Sequence, residues 1–149
     1  MPGRAGRGEL PGKVLIQTIN PDHYAVRMAA SHDYDGFYAK ELQFRRAMRY
    51  PPFAALANVL VRAREREDAE RKACELGGLL EPAPEGLRVL GPAEAPVPRL
   101  KAEYRYQLLL KAASRKTLRA ALNSLRAHAL ERKWPATALV IDVDPVTLM

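Results

Sequence analysis

The sequence predicts an α+β fold. Its main part is a βαββαβ split-βαβ sandwich, an antiparallel sheet with two helices on one face, preceded by a strand and two helices. Three observations carry this. Four short apolar or alternating runs read as strands. Two long segments with apolar residues three and four apart read as helices and fall between those runs in β-α-β-β-α-β order. A Pro51-Pro52 pair separates this block from a differently patterned start, and the boundary is placed at 53/54.

The elements follow in order. "KVLIQTINPDH" holds a β-prone apolar run, residues 14–19, expected as a short buried strand; Asn20-Pro21 breaks it. Asp22 is placed to cap a short helix over residues 24–30. Ser31 or Asp33 caps a second helix. Tyr34, Phe37, Tyr38, Phe44 and Met48 line one side of it, and the proline pair stops it. "ALANVLVRA" is a strand. "EREDAERKACELGGLL" is a helix with Ala69, Ala73, Leu76 and Leu80 on one stripe. "LRVLGPAEAPV" is a strand running into proline-rich turns. "YRYQLLLKA" is a strand with Tyr104, Tyr106, Leu108 and Leu110 on one face. "SRKTLRAALNSLRAHALERK" is a helix capped by Ser114, and "ALVIDVDP" is the last strand.

Composition narrows the function classes. The 149 residues are 48% apolar, enough to build a core, and carry a net charge of +7, which favours an anionic partner. Cys74 is the only cysteine, so neither an internal disulfide nor a four-cysteine zinc site can form; its neighbours suggest core packing. No apolar run approaches the ~18 residues of a membrane span, and the first residues lack the apolar centre of a secretory signal, so a cytoplasmic location without membrane contact is expected. Neither a phosphate-loop pattern nor a nucleophile elbow occurs.

On a wheel of about 100° per residue, Leu118, Leu122, Leu125 and Ala129 fall within about 60°, the core face of the last helix. Arg115, Arg119, Arg126 and Lys133 fall within about 40° on an adjacent strip, a single-signed track for nucleic acid or an acidic peptide. Asp142 and Asp144, two apart on a strand, point to one side and could share a metal, but no third ligand is evident, and the favoured reading is a structural role, pairing with nearby arginines or capping the chain end. His32, Asp33 and Asp35 offer metal-ligating types, though capping accounts for Asp33, while His23 and His128 show no suitable sequence neighbours.

"GRAGRG" followed by "QTINPDH" resembles motif six of superfamily-two helicases, in the form found in the primosomal protein N′ family of replication-restart helicases. The likeness continues through "HDYDGFYAKELQFRRAMRYPPF", "VLGPAEAPVPRL", "YRYQLLLKAASR" and "VIDVDPVTLM". It covers nearly the whole chain in the family's order. The resemblance implies a C-terminal fragment. Residues 1–53 would be the end of a RecA-like second helicase lobe. Residues 54–149 would be the C-terminal domain, with a fold similar to ribosomal protein S-ten. Arg7 matches the arginine finger and Arg4 its companion, facing ATP in a complete helicase, with Gly3 letting the backbone approach the nucleotide.

The family is an ATP-dependent DNA helicase, using ATP with magnesium and a structural zinc. This sequence lacks the first lobe with its phosphate loop, and the paired cysteines of the zinc module. The chain alone is therefore expected to hold no cofactor and to show no ATPase. The implied partners are branched or single-stranded DNA at stalled forks, the acidic tail of single-stranded DNA-binding protein, and other primosome proteins, all bacterial and at the nucleoid. By position, Arg115 with Arg119 matches the residues that receive that tail, and Lys101, Arg105 and Lys111 around "YRYQ" would add DNA contacts. Tyr104 and Tyr106 would either stack on bases or pack in the sheet. The family's more basic "RYRW"-like stretch is replaced here by one with Glu103 and Tyr106. The alternatives are a free-standing nucleic-acid-binding adaptor and a metal-dependent enzyme using Asp142 and Asp144.

Overall fold

Alternating side chains and helical stripes after residue 54 each find a partner. The structure, a computed structural model, describes residues 14–145. The chain divides into two compact units, Met1–Phe44 and Arg45–Met149. In the second unit, β1 (Ala55–Ala63) sends Ala57, Val59 and Val61 into the core. β3 (Glu103–Ala112) does the same with Leu108 and Leu110. α3 (Arg66–Gly78) lays Ala69, Ala73 and Leu76 on these residues, and α4 (Arg115–Glu131) adds Leu118, Leu122 and Leu125, making one continuous core. The small alanines of α3 let its backbone approach the sheet closely. Burying each leucine fully stabilises the fold by about 1.5–3 kcal/mol.

The sheet is four-stranded and antiparallel throughout, in the order β2-β3-β1-β4, with β2 spanning Leu87–Leu100 and β4 Leu139–Val143. β3 therefore lies between β1 and β2. Both helices cover the face carrying the odd positions of β1 and the even positions of β3.

β2 is longer than the sequence suggests. It continues through Pro92, Pro96 and Pro98 where proline-rich turns were expected. It is an edge strand, so a proline on its outer side removes no ladder hydrogen bond, and its register to β3 shifts twice. The turn to β3 is two residues, Lys101 and Ala102, both with positive φ (50° and 62°). That is the mirror-type hairpin turn, built here without the glycine or asparagine that announces it.

The first unit holds α1 (Tyr24–Ala30), and α2 (Tyr34–Ala47) begins there. His23, rather than Asp22, caps α1: its Nδ1 accepts from the Ala25 N–H at 3.3 Å. Asp33 caps α2, accepting from the Gly36 N–H at 2.9 Å. Tyr24 packs near Phe44 (5.4 Å) and Phe37 (6.3 Å) and donates its hydroxyl to Glu41 at 2.6 Å. Tyr34, Tyr38, Phe44 and Met48 stay exposed.

Residues 14–19 form no strand. Leu15 is 95% exposed, and no described strand pairs with the segment. A β-prone run becomes a strand only where a neighbour takes its N–H and C=O groups. α2 also stops at Ala47, before the proline pair. Arg49 adopts φ 51°, and the Tyr50 N–H donates back to the Arg45 carbonyl at 2.8 Å, a left-handed C-terminal cap. The same device ends α1 at His32 and α4 at Lys133.

Candidate functional site

The core stripe of α4 fixes its rotation and thereby aims its cations. Ser114 starts the helix, its Oγ accepting from the Thr117 N–H at 3.1 Å. With Leu118, Leu122 and Leu125 buried, Arg115, Arg119 and Arg126 are exposed. They lie about 6 Å and about 10.5 Å apart along the axis. Arg119 and Arg126 have no hydrogen bond or ion pair among the described residues. Lys133 is exposed but off the helix. α4 ends at Glu131 and Lys133 takes φ 54°, so helical spacing no longer places it on the strip.

Arg115 is held at its tip. Its side chain is 82% exposed, and Nη2 donates to Asp144 Oδ2 at 2.7 Å. Asp144 is fixed through β1: its N–H donates to the Leu56 carbonyl at 2.8 Å, and its Oδ1 accepts from the Leu56 N–H at 3.2 Å. Its φ of 50° takes it out of the strand alternation, so it does not share a side with Asp142, which pairs in register with Asn58. The shared-metal arrangement is not formed, and pairing with an arginine is what the structure has. Beside the ion pair lies a cavity of about 180 Å³ walled by Pro51, Pro52, Phe53 and Ala113. Arg115, Asp144 and Ser114 line the same small hollow, so its wall is more polar than apolar.

The cations of β3 lie elsewhere. Arg105 sits on the sheet face opposite the helices, its Nε buried without a hydrogen-bond partner among the described residues. Lys101 is exposed at the hairpin turn. Lys111 donates to the Met48 carbonyl at 3.3 Å and lies 3.9 Å from the Tyr50 ring centroid. Tyr106 is buried in the core and Tyr104 packs against it, so both follow the sheet-packing reading. The structure therefore separates Lys101 and Arg105 from the α4 strip. Gly3, Arg4 and Arg7 lie outside the described residues.

Two side chains differ from their sequence reading or were missed by it. Cys74 is exposed, not core. His128 Nε2 lies 3.0 Å from Glu75 Oε1, which also accepts from Arg132 at 2.5 Å, tying α4 to α3. Partial burial pushes the Glu75 carboxyl up, but the His128 hydrogen bond and the Arg132 charge outweigh it and hold it below its ordinary value. Asp144 follows the favoured sequence reading, pairing with a nearby arginine, and the structure adds which one.

Among the described residues no group of three His, Cys, Asp or Glu is placed to hold a metal, and no helix is long and apolar enough to cross a membrane. Arg115, Asp144 and the cavity walls all fall within residues 46–146, which match the family model described as the primosomal protein N C-terminal domain. The chain belongs to this family. Its similar relatives include proteins named replication restart protein PriA. That of Treponema pallidum is 40% identical over 152 residues, covering 99% of this chain and 22% of the relative. That of Bacillus subtilis is 36% identical over 151 residues, covering 99% and 18%. That of Haemophilus influenzae is 36% identical over 147 residues, covering 98% and 20%. The chain thus spans about a fifth of the length of the curated relatives it matches. The primosomal C-terminal match begins at the last turn of α2 and takes in the whole sheet, α3 and α4; Arg4 and Arg7 fall before it.

Proposed function

We propose that this chain is the binding end of a replication-restart helicase, with α4 as its contact surface. Residues 54–149 act as the C-terminal domain, and the βαββαβ order with β3 inserted between β1 and β2 supports the split-βαβ, S-ten-like reading. Residues 1–53 complete a helicase lobe whose Arg4 and Arg7 face ATP only when the other lobe is present. The chain alone is a module without ATPase that works in the bacterial cytoplasm and helps assemble the primosome. Its ligands are branched or single-stranded DNA and the acidic tail of single-stranded DNA-binding protein.

One observation supports this most. Arg119 and Arg126 stand exposed on one strip with no acidic partner among the described residues, and Arg115 continues the strip into the wall of a small cavity. Unpaired cations on a protein of net charge +7 favour phosphates and carboxylates. A guanidinium in a small hollow of mixed lining, with Pro51, Pro52 and Phe53 on one wall, suits a peptide that brings a free carboxylate to it.

The test is a fluorescence anisotropy titration of the 149-residue chain with a labelled acidic peptide ending in phenylalanine. Arg115→Glu leaves the fold intact, because an exposed ion pair contributes only about 0.2–1 kcal/mol. It weakens the peptide by at least about tenfold, because it reverses the charge and sets a second carboxylate beside Asp144 against the incoming one. Unchanged affinity in a folded Arg115→Glu variant contradicts the assignment.

A further inference from the structure

Asp144 is the feature of this surface that the binding reading does not require. A site that only attracted anions would leave its arginine free. Here a carboxylate already sits on Arg115 at 2.7 Å. It is not a loose surface acid, because Leu56 fixes it through both the Asp144 backbone N–H and the side-chain Oδ1. Its side chain is 26% exposed against 82% for Arg115, so the acid is the more buried, anchored partner and the arginine the one open to solvent.

We infer that Asp144 is a specificity-determining residue of the peptide site, a built-in carboxylate that screens Arg115 from weakly held anions. Arg115 and Asp144 together are neutral, so a lone anion gains little by approaching. Only Nη2 is committed to Asp144, which leaves the rest of the guanidinium donors for a second carboxylate. That carboxylate must come in against the Asp144 charge. An occupant that also fills the cavity walled by Pro51, Pro52 and Phe53 offsets this cost, and a simple anion does not. The inference rests on the peptide-site reading above.

The conservative variant is Asp144→Asn. Asparagine tolerates φ 50° and keeps an oxygen for the Leu56 N–H, so the backbone link survives while the charge goes. Titrations use the 149-residue chain, its melting temperature checked alongside, and two probes. One is an acetylated run of four aspartates ending in phenylalanine. The other is an uncharged serine run ending in phenylalanine amide.

Asp144→Asn is expected to tighten the acidic peptide about two- to fivefold, the worth of one exposed ion pair, and to steepen its salt dependence. The uncharged probe should be unaffected. Weaker or unchanged acidic-peptide binding overturns the inference, as does an equal gain for the uncharged probe. If Asp144→Asn proves poorly folded, Arg115→Gln in the parent decides instead. Its loss of acidic-peptide affinity should also be only about two- to fivefold if Asp144 already neutralises Arg115, and a much larger loss overturns the screening role. The underlying reading fails separately: if Arg115→Glu binds the acidic peptide as the parent does, there is no peptide site at Arg115 and both proposals fall. If binding depends on Arg115 but Asp144→Asn changes nothing, only the screening role falls.

Discussion

Replacing Arg119 and Arg126 together by alanine isolates the electrostatic part of the surface. Both side chains are exposed, on one strip of α4, and without a partner among the described residues. Their removal breaks no internal contact, and alanine is the best helix former, so stability should stay within about 0.5 kcal/mol of the parent. Binding to DNA responds differently. Each phosphate neutralised contributes about 0.9 to the slope of log affinity against log salt on duplex. If each arginine takes one phosphate, the double variant lowers the slope by about 1.8, and at 0.1 M salt weakens binding by about 60-fold. The assay is anisotropy of a labelled forked duplex across a series of salt concentrations, with circular dichroism melts run alongside. An unchanged slope in a folded double variant would refute the placement of DNA on α4. The phosphate contacts would then belong to another surface, with the opposite sheet face that carries Arg105 the first to test.

Two predictions concern the scaffold. Gly91 has φ 103°, and a Cβ there would lie 2.8 Å from the Gln107 carbonyl oxygen of β3, so Gly91→Ala should cost about 1–3 kcal/mol, read as a lowered urea midpoint; a midpoint equal to the parent's would contradict the close approach. Acid should weaken the helix layer. The hydrogen bond from Lys72 holds the Asp68 carboxyl below its ordinary value, and Glu75 is held low by His128 and Arg132 against its partial burial. A depressed carboxyl gives stability that is full above its unfolded pKa, about 4, and is lost as pH falls through the folded one. Thermal stability should therefore change little between pH 7 and about 5 on this account and decline below about 4, and Glu75→Gln should flatten that decline. An equal decline in the variant would remove Glu75 from the explanation.

The second unit was legible in the sequence because each element there carries its own period. Alternation in "ALANVLVRA" and the Leu118, Leu122, Leu125 stripe each specify a buried face, and both faces found a partner. Residues 14–19 carry the same β signal, but a strand also needs a neighbour, and no described residues supply one. Left-handed caps at Arg49 and Lys133 were not visible, because the sequence cue for that conformation is glycine and these positions have none. Cys74 was misread from its neighbours. The wheel that groups Ala69, Ala73 and Leu76 puts Cys74 about 130° from their stripe, on the exposed side. The α4 strip could be read up to Arg126 from periodicity alone, and Lys133 fell off it where the period ends. The Asp144 partnership with Arg115 spans 29 residues and depends on strand β4 returning beside β1, which spacing does not encode.

Amide mapping by NMR tests whether α4 is the contact surface. The 149-residue chain would be titrated first with forked DNA and then, separately, with the acidic peptide. The account predicts that the peptide shifts the amides of Ser114, Arg115 and Phe53, and that DNA shifts those of Arg119 and Arg126. Shifts confined to the sheet face that carries Arg105 and Leu60, with α4 unmoved by either ligand, would contradict it.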